Sequence, residues 1–149
     1  MTKILKLETQ AANKCFGCGG DNPAGMRLVF DLDFDAQRAR GRFVLGSSYA
    51  GGAGFAHGGI IAVVLDEAMG KLSKLTEEKA VTGELSIEYR KPVPVDKEIV
   101  VEGWQVQAVG RYRFRAGEIR DAAGNVLARG KARFVTIDEN HFDRIRVAQ

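Results

Sequence analysis

The residues best equipped for chemistry share one stretch, FAHGGIIAVVLDEAMG, at 55–70. His57 precedes Gly58 and Gly59, while Asp66 and Glu67 interrupt a run otherwise made of Ile, Val, Leu, Ala and Met. A carboxylate set among apolar side chains is costly to bury or has its pKa driven upward, so its position implies a use or a partner. HGG stands where the chain enters a run with helical spacing, which puts the Gly58 and Gly59 amides among the orphan N–H groups at the positive end of the helix dipole. Amides so placed can hold a carbonyl oxygen and stabilise the charge it gains during nucleophilic attack. A tight loop-to-helix turn with a capping His57 would produce the same letters.

Asp66 follows Gly58 by eight residues, roughly 12 Å along an α-helix. A single helix therefore cannot bring both groups onto one bond. Two antiparallel copies can, so a shared site requires a homodimer with sites at its interface. Neighbouring helical residues point about 100° apart. At most one of Asp66 and Glu67 then faces the site, and the other serves structure, facing solvent or binding a basic side chain.

The elements that must position these groups follow from hydrophobic periodicity. Ile61, Leu65, Ala68, Leu72 and Leu75 predict one long helix from Gly58 to about Leu75, and Ile60, Val63, Val64 and Met69 spread its apolar surface round most of the circumference. Such a helix must be wrapped on nearly all sides. MRLVFDLDFD, with Met26, Leu28, Phe30, Leu32 and Phe34 alternating, pairs with RARGRFVLG as a hairpin, and AVTGELSIEYRKPV, EIVVEGWQVQAV, RYRFRAGEIRD and NVLARGKARFVTI supply further strands. The expected architecture is an α+β domain of one central helix and five or six antiparallel strands. The 18 glycines cluster at 17–25, 46–59 and 103–130, which implies tight turns and close backbone approaches.

At 149 residues the chain is expected to be a single domain, with no repeat or low-complexity tract. A formal charge of +3 is too mild for a dedicated nucleic-acid binder but suits a small anionic ligand. Without a signal-peptide core or an apolar run longer than Ile60–Leu65, a cytoplasmic location is expected, with no membrane partner. Cys15 and Cys18 form one CxxC, and for the four ligands a structural zinc site wants the chain offers only His57 and His141 besides. The pair is expected to be two reduced thiols in an ordered loop, with no metal bound. His141, in a charged tail, receives no role.

Arg111, Arg113 and Arg115 alternate along one predicted strand and Arg129, Lys131 and Arg133 along the next, with DAAGN turning between them. Six cations on one face of one hairpin would call for a counter-anion, a phosphate or else carboxylates such as Glu102 and Glu118. A solvated basic face is the plain alternative. Nucleic acid fits poorly, because the aromatic residues alternate toward the other face.

CFGCGGDNPAGMRLVF, HGGIIAVVLDEAMG and TGELSIEYRKPVP together resemble the landmarks of hotdog-fold acyl-CoA thioesterases of the PaaI and 4-hydroxybenzoyl-CoA thioesterase superfamily, over about residues 12–137. The resemblance implies a long helix wrapped by a curved sheet, dimerising so that two sheets become continuous, or assembling further as a dimer of dimers. By the same resemblance Asp66 is the catalytic carboxylate, as general base or nucleophile. Gly58 supplies the amide that polarises the thioester carbonyl across the interface, with Gly59 beside it and His57 orienting the substrate. Thr82 falls where some relatives place a hydroxyl that positions water. Arg90, in YRKP, joins the basic strand residues as a candidate ligand for the phosphates of coenzyme A, and no cofactor beyond that substrate is implied. Some relatives carry an amide or acidic side chain about six residues before the histidine, whereas AGGAGFA has none. Two other readings share the fold: a non-catalytic acyl-CoA-binding module, and an enoyl-thioester hydratase or dehydratase using His57 as its acid or base.

Overall fold

The helix expected from Gly58 forms as α1, Gly58–Gly70, and its last turn tightens into a 3-10 segment at Lys71–Lys74. The computed structural model describes residues 2–148. Three strands precede α1, β1 (Ile4–Leu7), β2 (Phe30–Asp33) and β3 (Arg38–Val44), and β4 (Ala80–Tyr89) follows it. Three long strands complete the sheet, β5 (Glu98–Val109), β6 (Tyr112–Asp121) and β7 (Val126–Thr136), before α2 (Glu139–Val147).

The sheet is antiparallel, in the order β1-β2-β3-β5-β6-β7-β4. It has seven strands where five or six were expected. The extra one, β1, is only four residues long and mostly exposed, so no alternation marked it in the sequence. The charged tail after Ile137 is also partly helical, with Asp138 capping α2 through its bond from the Asn140 amide.

The core is the face between α1 and the sheet, where Val64, Leu65, Ala68 and Met69 meet Phe30, Ile99, Val101 and Ile119. Gly103, Gly117 and Gly130 stand opposite one another across β5, β6 and β7 and form a trough under α1. A Cβ on Gly103 would lie 2.8 Å from the Ala68 carbonyl oxygen, and one on Gly130 would lie 3.2 Å from the Met69 methyl. The absence of these side chains lets helix and sheet approach closely.

A bulge between Thr82 and Glu84 changes which residues of β4 face the helix. Leu85 pairs with inward-facing Ala132, and strict alternation would then turn Gly83 and Val81 inward; with the extra residue Gly83, Thr82 instead pairs with the buried Phe134. The bulge thereby aims the Thr82 hydroxyl at α1.

Candidate active site

His57 caps α1 with extended backbone angles (φ −61°, ψ 140°), and its Nδ1 accepts the Gly59 amide at 2.9 Å. Because Nδ1 is the acceptor, the neutral ring carries its proton on Nε2. The Gly59 amide is therefore already committed, contrary to its expected place in an oxyanion hole. Gly58 differs: its N–H has no acceptor among the described residues, while its carbonyl oxygen accepts a bond from the Tyr89 hydroxyl at 2.9 Å. Tyr89, at the far end of β4, thus pins the start of the helix, a role the sequence did not disclose.

Eight residues along, the Asp66 Oδ1 accepts the Thr82 hydroxyl at 2.6 Å. Partial burial raises the Asp66 carboxyl above its ordinary value; the bond from Thr82 pulls the other way, and the neighbouring Glu67 adds to the rise. A carboxylate with a raised pKa and a fixed orientation is suited to accepting a proton from water. Glu67 turns elsewhere, toward the amino-terminal loop, with Cys15 Sγ 3.5 Å from its Oε1 and Lys71 Nζ 3.5 Å from its Oε2. The two acidic neighbours divide as their angular separation requires.

The six hairpin cations do not share a face. Cα register pairs Arg113 with Phe134 and Arg115 with Ala132, on the helix side, while Arg129, Lys131 and Arg133 pair with Glu118, Ala116 and Phe114 on the outer side. Arg115 is buried, donating to the Met69 carbonyl at 2.9 Å and to Ser73 Oγ at 3.0 Å, with its guanidinium over the Phe134 ring. It serves the carboxyl end of α1, and burial lowers its pKa to about 10. Arg113 is held by Glu78, and Arg111 lies over the Tyr112 ring.

On the outer side, Arg129 bonds Glu118 at 3.2 Å, Arg133 is 3.7 Å from Glu84, and Arg90 is 3.3 Å from Glu88. Glu102 instead serves Arg38 and Arg40. Lys131 makes no ion pair among the described residues. It lines an outer groove of about 470 Å³ with Glu84, Ser86, Phe114 and Arg133. A second groove, about 490 Å³, runs over β1, β2 and β3. Asp66 lines neither groove.

The sequence profile of the thioesterase superfamily matches residues 53–128, a span that runs from the loop before His57 to β7. The chain is 31% identical over 138 residues to acyl-coenzyme A thioesterase THEM4 of Mus musculus, covering 92% of this chain and 60% of the mouse protein. It thus spans about three-fifths of that relative's length. A crystallised thioesterase superfamily protein superposes with a TM-score of 0.76 at 28% identity, over 82% of this chain and 60% of the other. The smu.793 protein of Streptococcus mutans UA159, solved bound to acetyl-CoA, superposes with a TM-score of 0.65 at 21% identity, over 68% of this chain and 82% of its own.

Proposed function

This chain belongs to the thioesterase superfamily, and from that premise we propose that it hydrolyses an acyl-CoA thioester to the free acid and CoA in a site shared by two copies. The observation that carries the reading is the Asp66–Thr82 pair: a half-buried carboxylate with a raised pKa, oriented by a 2.6 Å hydrogen bond from a strand that bulges to deliver it.

In this mechanism the ionised Asp66 removes a proton from water as the water oxygen attacks the carbonyl carbon, and the C–S bond then breaks. Its electron pair leaves on sulfur, and the departing thiolate of CoA takes up a proton. The same carboxylate could instead attack directly, giving a mixed anhydride that water cleaves. The carbonyl oxygen gains negative charge in either route. The partner subunit's Gly58 supplies the free N–H that meets this charge, at the positive end of a second α1. Since eight residues separate Asp66 from Gly58 on one helix, roughly 12 Å, a single chain holds half of each site. His57, with Nδ1 committed to Gly59, offers Nε2–H as a donor to the substrate rather than a base. This favours hydrolysis over hydratase chemistry.

The phosphates of CoA are assigned to the outer face of β7, at Lys131 with Arg129 and Arg133, and Arg90 beyond. The acetyl-CoA in the S. mutans relative supports a CoA thioester as ligand. Thiol release measured on aryl, short-chain and long-chain acyl-CoA substrates tests the reading. At least one substrate should turn over with wild-type protein and fail with Asp66→Asn; tight acyl-CoA binding with no thiol released by wild type would identify a binding module instead.

A further inference from the structure

The mechanism leaves unused a cluster around Glu67, the neighbour of Asp66: two thiols, a carboxylate and an ammonium group. The loop carrying the thiols is firmly built. Cys15 N–H donates to Asn13 Oδ1 at 2.9 Å, the Gly19 amide donates to the Cys15 carbonyl at 2.9 Å, and the Met26 and Leu28 amides return to Phe16 and Gly17 at 2.7 and 2.9 Å. Gly17 lies directly against Glu67, since a Cβ there would fall 2.5 Å from the Glu67 Cγ. This contact brings Cys15 Sγ, Cys18 Sγ and a Glu67 carboxylate oxygen within 4.8 Å of one another, all three residues being partly buried. Counting histidines had offered the CxxC only His57 and His141 as further ligands. The fold supplies one from the helix, 49 residues beyond Cys18.

We propose that Cys15, Cys18 and Glu67 form a binding site for a thiophilic divalent cation, zinc by its ligand chemistry, which fastens the amino-terminal loop to α1. Two sulfurs and one carboxylate oxygen are all donors that zinc takes, and a water would complete a tetrahedron. Ligand atoms around tetrahedral zinc stand about 3.5–3.8 Å apart, given Zn–S of about 2.3 Å. The Cys15–Glu67 edge, at 3.5 Å, is already there.

Charge balance gives a second argument. Two thiolates and Glu67 carry three negative charges, and a divalent cation with Lys71, 3.5 Å from Glu67, carries three positive ones. The loaded site is neutral, as a partly buried site must be to avoid a large desolvation cost. Binding releases the two thiol protons, each sulfur donates a lone pair, and no electron is transferred. The titratable groups facing the thiols are Glu67 of α1 and Lys71 of the 3-10 segment that follows it.

The test uses the untagged 149-residue chain, fully reduced, titrated with Co²⁺ and then with Zn²⁺. Wild type should show a thiolate-to-cobalt charge-transfer absorption saturating at one metal per chain and displaced by Zn²⁺. Cys15→Ser and Cys18→Ser should abolish it, and Glu67→Gln should weaken binding at least about tenfold. Two released protons should tighten the affinity by up to about 100-fold per pH unit. Absence of the band in wild type overturns the proposal, and that result needs no variant to fold. Equal affinity in wild type and the serine variants, or affinity independent of pH, overturns it too. None of these readouts involves thioester turnover.

Discussion

Thr82 and Asp66 are joined across the helix–sheet boundary by a 2.6 Å hydrogen bond, the hydroxyl donating to the carboxylate. The bond favours the ionised carboxylate and so opposes the burial that raises the Asp66 pKa. Thr82→Val removes it with little change in volume. The acidic limb of the kcat/KM profile should then move up by about one pH unit, since a hydrogen bond to a charged group contributes roughly 1.5–3 kcal/mol and the exposed hydroxyl calls for a discount. A side chain that only packed β4 would lower activity evenly across the profile without moving the limb.

Asp66→Asn should separate catalysis from stability. Loss of a positioned base costs about 10²–10⁴-fold in kcat. Stability should respond in the opposite direction. A carboxyl whose folded-state pKa is raised contributes stability while protonated, below its unfolded pKa, and loses that contribution as pH rises through the folded value. At neutral pH wild type bears this ionisation cost and the asparagine does not. Thermal melts should show the variant equal to or above wild type near neutrality, the difference shrinking toward about pH 4. A variant markedly less stable at neutral pH would contradict the assignment.

Gly58→Pro isolates the free amide. Proline is well tolerated at the first helical position, and the extended backbone of His57 is what a residue before proline adopts. A Cβ at 58 would meet only the Tyr89 side chain, at 3.5 Å. The variant should fold and lose about 10²–10³ in kcat. Co-expressed with Asp66→Asn, it should regain activity, because a mixed dimer rebuilds one intact site from an unaltered Asp66 and an unaltered Gly58. Two variants that stay inactive together would show that each site belongs to one chain.

The helix, its acidic pair and the four strands after it were legible because each rests on local periodicity or on residue type. Thr82 was legible only through resemblance, since its inward direction depends on a bulge that one glycine, Gly83, announces weakly. The hairpin cations misled for a related reason. Alternation shows that Arg111, Arg113 and Arg115 share a face, and that Arg129, Lys131 and Arg133 share another, but only cross-strand register shows that the two faces are opposite. Glu67 joining the CxxC is a long-range contact with no signature in spacing. The glycines at 103, 117 and 130 announced close approach, and their alignment into one trough again needed register.

Register also divides the consequences of removing the basic residues. Lys131→Ala should raise KM for an acyl-CoA about 2–5-fold, with kcat unchanged and the effect fading at high salt, as expected of an exposed charge near a phosphate. Arg115→Ala should leave the KM of the remaining folded enzyme near wild type but lower stability by about 3 kcal/mol, through lost bonds to Met69 and Ser73 and an unfilled space beside Phe134. Steady-state kinetics at two ionic strengths, with chemical denaturation of both variants, checks the division. A KM effect confined to Arg115 would place the phosphates elsewhere.

The glycine trough yields the sharpest structural expectation. A methyl at Gly103 would meet the backbone of α1, 2.8 Å from the Ala68 oxygen and 2.9 Å from its carbonyl carbon, and helix backbone cannot swing aside as a side chain can. Relief requires α1 to lift from β5, which loosens Leu65 and Met69 over the same trough and displaces Asp66 from Thr82. Gly103→Ala should therefore cost about 1–3 kcal/mol in denaturant unfolding and reduce turnover along with stability. Gly52→Ala, where a Cβ meets nothing within 4 Å, should stay within about 0.5 kcal/mol of wild type. Equal stability of the two variants would mean that helix and sheet do not meet through these glycines, and that the Asp66–Thr82 bond is held by something other than the close packing beneath it.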